Sequence, residues 1–297
     1  MKRILILTAL AALVLAGCGS VAKMGAQLGQ GAGVLTEQQT QSINRSVDVL
    51  EKTFEDVTPE QEYYIGRSVA ASLLTSYRPL ENPVLNGYVN DLGQTLAMAS
   101  DRPETFGGYH FLVLDSDELN AFAAPGGLIL VCRGLVLMCE TEDELAAVLA
   151  HEVAHVQNRD GLRAIKTSRL TGALTTLSVE GARHLGGEQL RDLANQFDGS
   201  IQDVTGTLVN SGYARGQETA ADQAARIILE RVGYDPLALN RMLQVMAAHW
   251  DPKGPGFART HPSPQDRLAD IGGKAAGEAD VVDVRQARFA QALGIKR

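Results

Sequence analysis

The chain has 297 residues, room for one large domain or two small ones, and its 45% hydrophobic and 21% charged content is that of an ordinary globular protein. A net charge of −8 and the lack of any Lys/Arg-rich run exclude the electrostatic footprint of a nucleic-acid binder. No period of about twenty to fifty residues recurs, which excludes a repeat array.

Residues 1–17 read as an export signal. Lys2 and Arg3 form its charged start, and Ile4 to Leu15 form an apolar stretch too short to span a bilayer. Leu15-Ala16-Gly17-Cys18 then resembles the bacterial lipobox, in which cleavage leaves Cys18 as a lipid-bearing N-terminus. The alternative is an ordinary signal peptide with an incidental cysteine. Several acyl chains on Cys18 make a stable anchor. Gly19 stands where resemblance to bacterial sorting signals would place Asp for inner-membrane retention, so the outer membrane is the expected destination.

Residues 18–57 follow as a tether with a candidate helix. The stretch 19–35 is rich in Gly, Ala and Gln, and about seventeen such residues span ~20–25 Å. The globular part is expected over 58–273. Thr58-Pro59-Glu60-Gln61 supplies an N-cap, a first-turn proline and a box-closing Gln, predicting a helix to about Ser76. Asn82-Pro83 starts a second, to about Met98. His110–Leu114 and Gly127–Cys132 read as strands. Leu162–Leu177 and Gly187–Val209 are weakly amphipathic and predict a helical hairpin. Further helices are expected over Gln217–Val232, ending at Gly233, and from Pro236 to about His249. Residues 274–297 form a charged, Ala-rich tail with no clear pattern. Cys132 and Cys139 lie seven apart; two buried thiols are the favoured reading and a disulfide the alternative, and neither has a partner pair at metal spacing.

The chemistry concentrates in His151-Glu152-Val153-Ala154-His155. On a helix, residues four apart are offset by about 40° and rise about 6 Å, so both imidazoles leave one face. They suit two corners of a tetrahedral zinc site. Glu152 lies beside the metal without ligating it and can take a proton from water there. Thr141 and Glu144 form a capping box at the start, and Leu145–Val156 is apolar apart from the motif. Two buried histidines and a buried glutamate without partners would cost several kcal/mol; a metal removes that cost.

Two histidines leave the site one protein ligand short. Glu218 is a candidate, with Asp222 four residues on and placed to hydrogen-bond a ligand histidine. Spacing alone does not choose Glu218 from other acidic residues. Four segments together do. Asn120-Ala-Phe-Ala-Ala-Pro-Gly-Gly127, Glu144 through His155, Glu218 with Asp222, and Thr260-His-Pro-Ser-Pro264 with Arg267 resemble, in that order, the zinc metallopeptidase family M48, in its bacterial periplasmic lipoprotein branch. The resemblance runs from about Thr58 to Gly273. Gly216 and Ala220 stand where many relatives carry acidic residues.

The resemblance implies an α+β, mostly helical, zincin-like domain with a small sheet beside the HExxH helix. It implies one zinc per chain held by His151, His155 and Glu218, with Glu152 as base and Asp222 orienting the site or donating a proton. His261 could approach the zinc and gate it, stabilise an oxyanion or merely fix a loop; Arg267 could bind the substrate carbonyl or pair with an acid. Gly127, Leu128, Ile129 and Leu130 would bind an extended substrate if that strand lies at a sheet edge. The expected partners are polypeptide substrates, the membrane through Cys18, and outer-membrane protein assembly machinery. The implied activity is hydrolysis of misfolded or unassembled envelope proteins on the periplasmic side. Its rival is a zinc-bound, latent or non-catalytic chaperone-like assembly factor.

Overall fold

Glu62, Ile65, Gly66, Val69, Ala70 and Leu73 recur at helical spacing and are all buried, so helix α1 (Pro59–Leu73) lays one stripe into the protein. It stops short of Ser76 because residues 74–76 turn. A computed structural model describes residues 57–164, 201–249, 260–272 and 282–294, with isolated positions elsewhere. The signal segment, Cys18, most of the tether and most of the expected hairpin lie outside the described residues. Among the described residues no helix is long and apolar enough to cross a membrane.

The elements all belong to one compact unit, built from Pro59–Ile165 and Asp198–Arg297. Helix α2 (Pro83–Met98) starts as its sequence requires, with the Asn82 side chain accepting from Leu85 N and Pro83 in the first turn. Its asparagines then serve the sheet. Asn86 Oδ1 accepts from Val113 N at 2.8 Å and Asn90 Oδ1 from Phe111 N at 3.1 Å, which satisfies the outer edge of strand β1 (His110–Leu114).

The sheet has three strands in the order β1-β3-β2. Strand β3 (Leu128–Cys132) runs parallel to β1, pairing Leu128 with His110, and antiparallel to β2 (Ala121–Ala124), pairing Leu128 with Ala124. A tight turn, Pro125–Gly127, joins β2 to β3, with Gly126 at φ 77° and Gly127 at φ 99°, conformations that only glycine adopts without strain. Gly127 thus belongs to the turn rather than to the expected strand. Ala121–Ala124 is a strand without a single β-branched residue, held in place by its pairing.

Helix α3 (Arg133–Met138) leads from the sheet to helix α4 (Glu142–Gln157), which carries the HExxH residues. Thr141 caps α4 by accepting from Glu144 N, and every residue from Glu142 to Val156 is buried. That helix packs against β2, α2 and helix α6 (Arg215–Arg231), which ends at Gly233 with φ 77°. A four-residue helix, α5 (Asp160–Arg163), follows α4. Helices α7 (Ala238–Ala248) and α8 (Pro264–Asp270) pack on each other, and α8 also packs on α6. The charged tail holds a further helix, α9 (Asp283–Ala292), whose Phe289 is buried in the core. Cys132 and Cys139 are buried thiols, as the favoured reading expected.

Candidate metal centre

The four-residue spacing on α4 brings Nε2 of His151 to 3.1 Å from Nε2 of His155. Glu218, in the first turn of α6, faces both: Oε2 lies 3.5 Å from His151 Nε2 and Oε1 lies 3.5 Å from His155 Nε2. His261 enters from the segment before α8, with Nε2 3.9 Å from Glu218 Oε2. One donor atom from each of these four residues lies within 4.8 Å of every other. The chain thus gathers His151, His155 and Glu218 from two helices, and His261 from a loop.

Hydrogen bonds on the far ring nitrogens fix the direction of each imidazole. His151 Nδ1 is 2.9 Å from Asp222 Oδ1, one turn along α6 from Glu218. His155 Nδ1 is 2.9 Å from Asp160 Oδ2, and Gln217 Nε2 donates to Asp160 Oδ1 at 2.9 Å. His261 Nδ1 is 2.9 Å from Thr260 Oγ1, which donates to Asn120 Oδ1. Asp222, Asp160 and Thr260 are each placed to take the N–H of the neighbouring Nδ1, the tautomer in which Nε2 turns its lone pair to the shared space; Arg267 Nη2 also lies 3.1 Å from His151 Nδ1.

That space demands a positive charge. Both Glu218 oxygens are buried without a hydrogen-bond donor, an arrangement that is costly unless a cation fills it. Burial pulls the Glu218 carboxyl up, but His261, His151 and His155 outweigh it and hold it down to about 2. Burial and Arg267 pull His151 down, yet Asp222 and Glu218 raise it to about 9, so without a metal a proton supplies the charge. Burial pushes His261 down to about 3, against the pull of Glu218, which leaves the ring neutral as ligation requires. Three imidazole nitrogens and a carboxylate suit zinc.

Glu152 is buried beside this cluster, and burial raises its carboxyl against the pull of His151 and His155. A carboxylate tuned upward is a better proton acceptor near neutrality. Tyr213 stacks on His155 with ring centroids 4.5 Å apart, and its hydroxyl donates to the Ala123 carbonyl at 3.5 Å.

Such a helix-borne pair of histidines, a distant glutamate and an adjacent carboxylate match a known group. The family model of peptidase family M48 matches residues 83–275. The chain belongs to peptidase family M48. Members are zinc-dependent metallopeptidases, and the small sheet beside α4 belongs to their zincin-like fold. The chain is 31% identical to the beta-barrel assembly-enhancing protease of Yersinia pestis over 223 residues, which is 73% of this chain and 44% of that protein. It is 30% identical to the protein of the same name from Escherichia coli K12 over 222 residues, 72% of this chain and 44% of that protein. It is 32% identical to the mitochondrial metalloendopeptidase OMA1 of Schizosaccharomyces pombe over 158 residues, 51% of this chain and 42% of that protein. The chain therefore spans less than half the length of these M48 relatives.

One expectation needs correction. The Gly127, Leu128, Ile129 and Leu130 segment cannot add a substrate strand, because β3 is the central strand with its backbone paired on both sides. Of the two roles left open for Arg267, the structure shows the pairing with an acid. Arg267 is buried, with Nε donating to Asp222 Oδ2 at 3.0 Å and Nη2 to Oδ1. Asp160 and Gln217 were missed as site residues. Asp160 lies five residues past His155, beyond the helix end, where helical spacing makes no statement.

Proposed function

We propose that the protein is a zinc-dependent endopeptidase of the bacterial envelope, acting on misfolded or unassembled outer-membrane proteins and anchored through lipid on Cys18. The observation that carries the peptidase reading is the buried, donor-less Glu218 carboxylate facing two imidazoles, with Glu152 alongside. The envelope substrates are inferred from the names of the M48 relatives, and the lipid anchor from the lipobox.

His151, His155 and Glu218 would hold the ion. Zinc supplies Lewis acidity there, lowering the pKa of water towards about 7 and polarising a scissile carbonyl. Glu152 takes the proton of the attacking water and hands it to the leaving amine. Asp222 and Asp160 keep His151 and His155 turned towards Glu218, where the ion would sit. An extended substrate pairs along β2, the edge strand whose Ala123 carbonyl points away from β3 and towards Tyr213.

A latent resting state is favoured by a specific contact. His261 would supply a fourth donor to the ion, and the backbone of Gly212 packs so tightly on Thr260 that a Cβ there would lie 1.7 Å from the Thr260 carbonyl oxygen. Hydrolysis requires His261 and Tyr213 to withdraw. Purified mature protein should contain one zinc per chain and degrade casein, and a chelator should abolish turnover. A zinc content near zero overturns the reading; bound zinc without turnover, even after His261→Ala, supports the assembly-factor rival.

A further inference from the structure

Helix α1 lies ahead of the segment matched by the family model, yet it sends one carboxylate to the support of the metal centre. Glu62 is buried, its side chain 1% exposed. Arg102 donates to it twice, Nη1 to Oε1 at 2.8 Å and Nη2 to Oε2 at 2.7 Å. Gly126 N donates to Oε1 at 3.2 Å, and Arg159 Nε lies 3.2 Å from Oε2. Arg102 Nη1 also donates to the Val156 carbonyl near the end of α4. One carboxylate thus ties together the β2–β3 turn, the loop after α2 and the residue that leaves α4.

That residue is unusual. Arg159, at φ 57°, is the one non-glycine with positive φ among the described residues. A left-handed conformation costs a residue with a Cβ some stability, and it persists where its surroundings enforce it. Here it bends the chain between α4 and α5, so that Asp160 reaches back to His155. The next residue, Gly161, sits where a Cβ would be 2.9 Å from Pro125 Cγ; a Cβ on Gly66 of α1 would be 1.7 Å from the Pro125 carbonyl oxygen. Helices α1 and α5 therefore close on the same proline, and Glu62 accepts from Gly126 on one side of the junction and ion-pairs with Arg159 on the other.

We propose that Glu62 is a positioning residue for the zinc ligand His155: its ion pair with Arg159 holds the left-handed turn that aims Asp160 at His155 Nδ1. The inference rests on the zinc-site reading above. A carboxylate placed only to anchor α1 needs Arg102 alone; the ion pair with the strained residue is what links α1 to the ligand.

The test is a double-mutant cycle read as zinc affinity, by competition with a chromogenic chelator. Asp160→Asn should weaken zinc binding by about 10–100-fold, and Glu62→Gln by about tenfold. The double variant should bind no more weakly than Asp160→Asn alone. Independent, multiplying losses overturn the proposal, as does a Glu62→Gln protein of lowered Tm and unchanged zinc affinity. If Glu62→Gln does not fold, Arg159 carries the test. Arg159→Gly adopts the turn unaided and should bind zinc more tightly than Arg159→Ala; equal affinities overturn the proposal. Hydrogen exchange of the Leu162, Arg163 and Ala164 amides in metal-free protein gives a reading that needs no zinc. These amides bond to the Arg159 and Asp160 carbonyls and should exchange faster in Glu62→Gln, with those of Val148–Ala150 unchanged. Unchanged exchange sinks this inference, whereas a parent protein that takes up no zinc sinks the metal-site reading instead.

Discussion

Arg267 grips both oxygens of Asp222, and the same Oδ1 that takes its Nη2 lies 2.9 Å from Nδ1 of His151. The guanidinium is therefore a support for His151, through Asp222 and through its own Nη2, 3.1 Å from His151 Nδ1. Burial alone would raise the Asp222 carboxyl, but Arg267 and then His151 hold it well below the usual carboxylate range.

Removing one partner of such a pair leaves a buried charge uncompensated. Arg267→Ala should destabilise the protein by about 3–5 kcal/mol, read from urea unfolding, and weaken zinc binding with it. An Arg267→Ala protein that keeps its stability and its zinc but loses turnover would restore the substrate-carbonyl role.

Glu152→Gln separates the base from the ligands. Glu152 lies beside the donor cluster without belonging to it, so the amide variant should still bind one zinc per chain. Its casein turnover should fall by about 10²–10⁴-fold. Full activity in the zinc-loaded variant would remove Glu152 from the mechanism.

Much of this site is legible from residue spacing, and what is hidden has a common cause. His151 and His155 are four apart on one helix, and so are Glu218 and Asp222; a fixed helical period turns those spacings into shared faces. Asn82 and Thr141 cap the helices their sequences announce. Glu218 needed the resemblance, because no local rule brings α6 to α4. Asp160 escaped notice because the left-handed turn at Arg159 breaks the helical period just where the chain reverses. Ala-Phe-Ala-Ala carries no strand signature of its own, so β2 rests on the resemblance over Asn120–Gly127, whose strand-and-turn does not say which strand lies at the edge. Strand order is a property of pairing, which periodicity along one segment does not encode.

His261→Ala tests latency. The imidazole completes the four-donor cluster, and a ligand in the open position excludes water and substrate alike. If the closed state outweighs the open one about tenfold, freeing the position raises casein turnover by about tenfold. Three remaining ligands should still retain the zinc. Turnover that falls in His261→Ala would assign His261 to the reaction itself, as an oxyanion donor.

Removing the metal should cost stability as well as activity. A ligand that binds the folded state alone stabilises it by about 4 kcal/mol at a thousand times its Kd. Chelation should therefore lower Tm, and added zinc should restore it. Glu218→Gln should make Tm indifferent to the chelator, because the amide removes the buried charge that the ion neutralises. A Tm unmoved by chelation in the parent protein would mean that the cluster holds no structural metal.

The last helix makes a separate prediction. In α9, Gln286, Phe289, Ala290 and Ala292 are buried while Val284 is 70% exposed, so Phe289 is the large apolar side chain that fastens the helix. Its ring lies 6.4 Å from that of Tyr88, whose hydroxyl donates to Glu142 at the start of α4 at 2.8 Å. Tyr234 donates to the same carboxylate at 2.7 Å, and Arg288 pairs with it. Glu142 is buried in the first turn of α4, where a negative charge also favours the helix dipole. Phe289→Ala should cost about 3–5 kcal/mol by leaving a cavity between α9, α2 and α4. Val284→Ala should change stability by less than about 0.5 kcal/mol. Because the cavity opens beside the start of α4 rather than the ligands, Phe289→Ala should lower Tm and leave zinc affinity unchanged. A Phe289→Ala protein as stable as its parent would mean that α9 only rests on the surface.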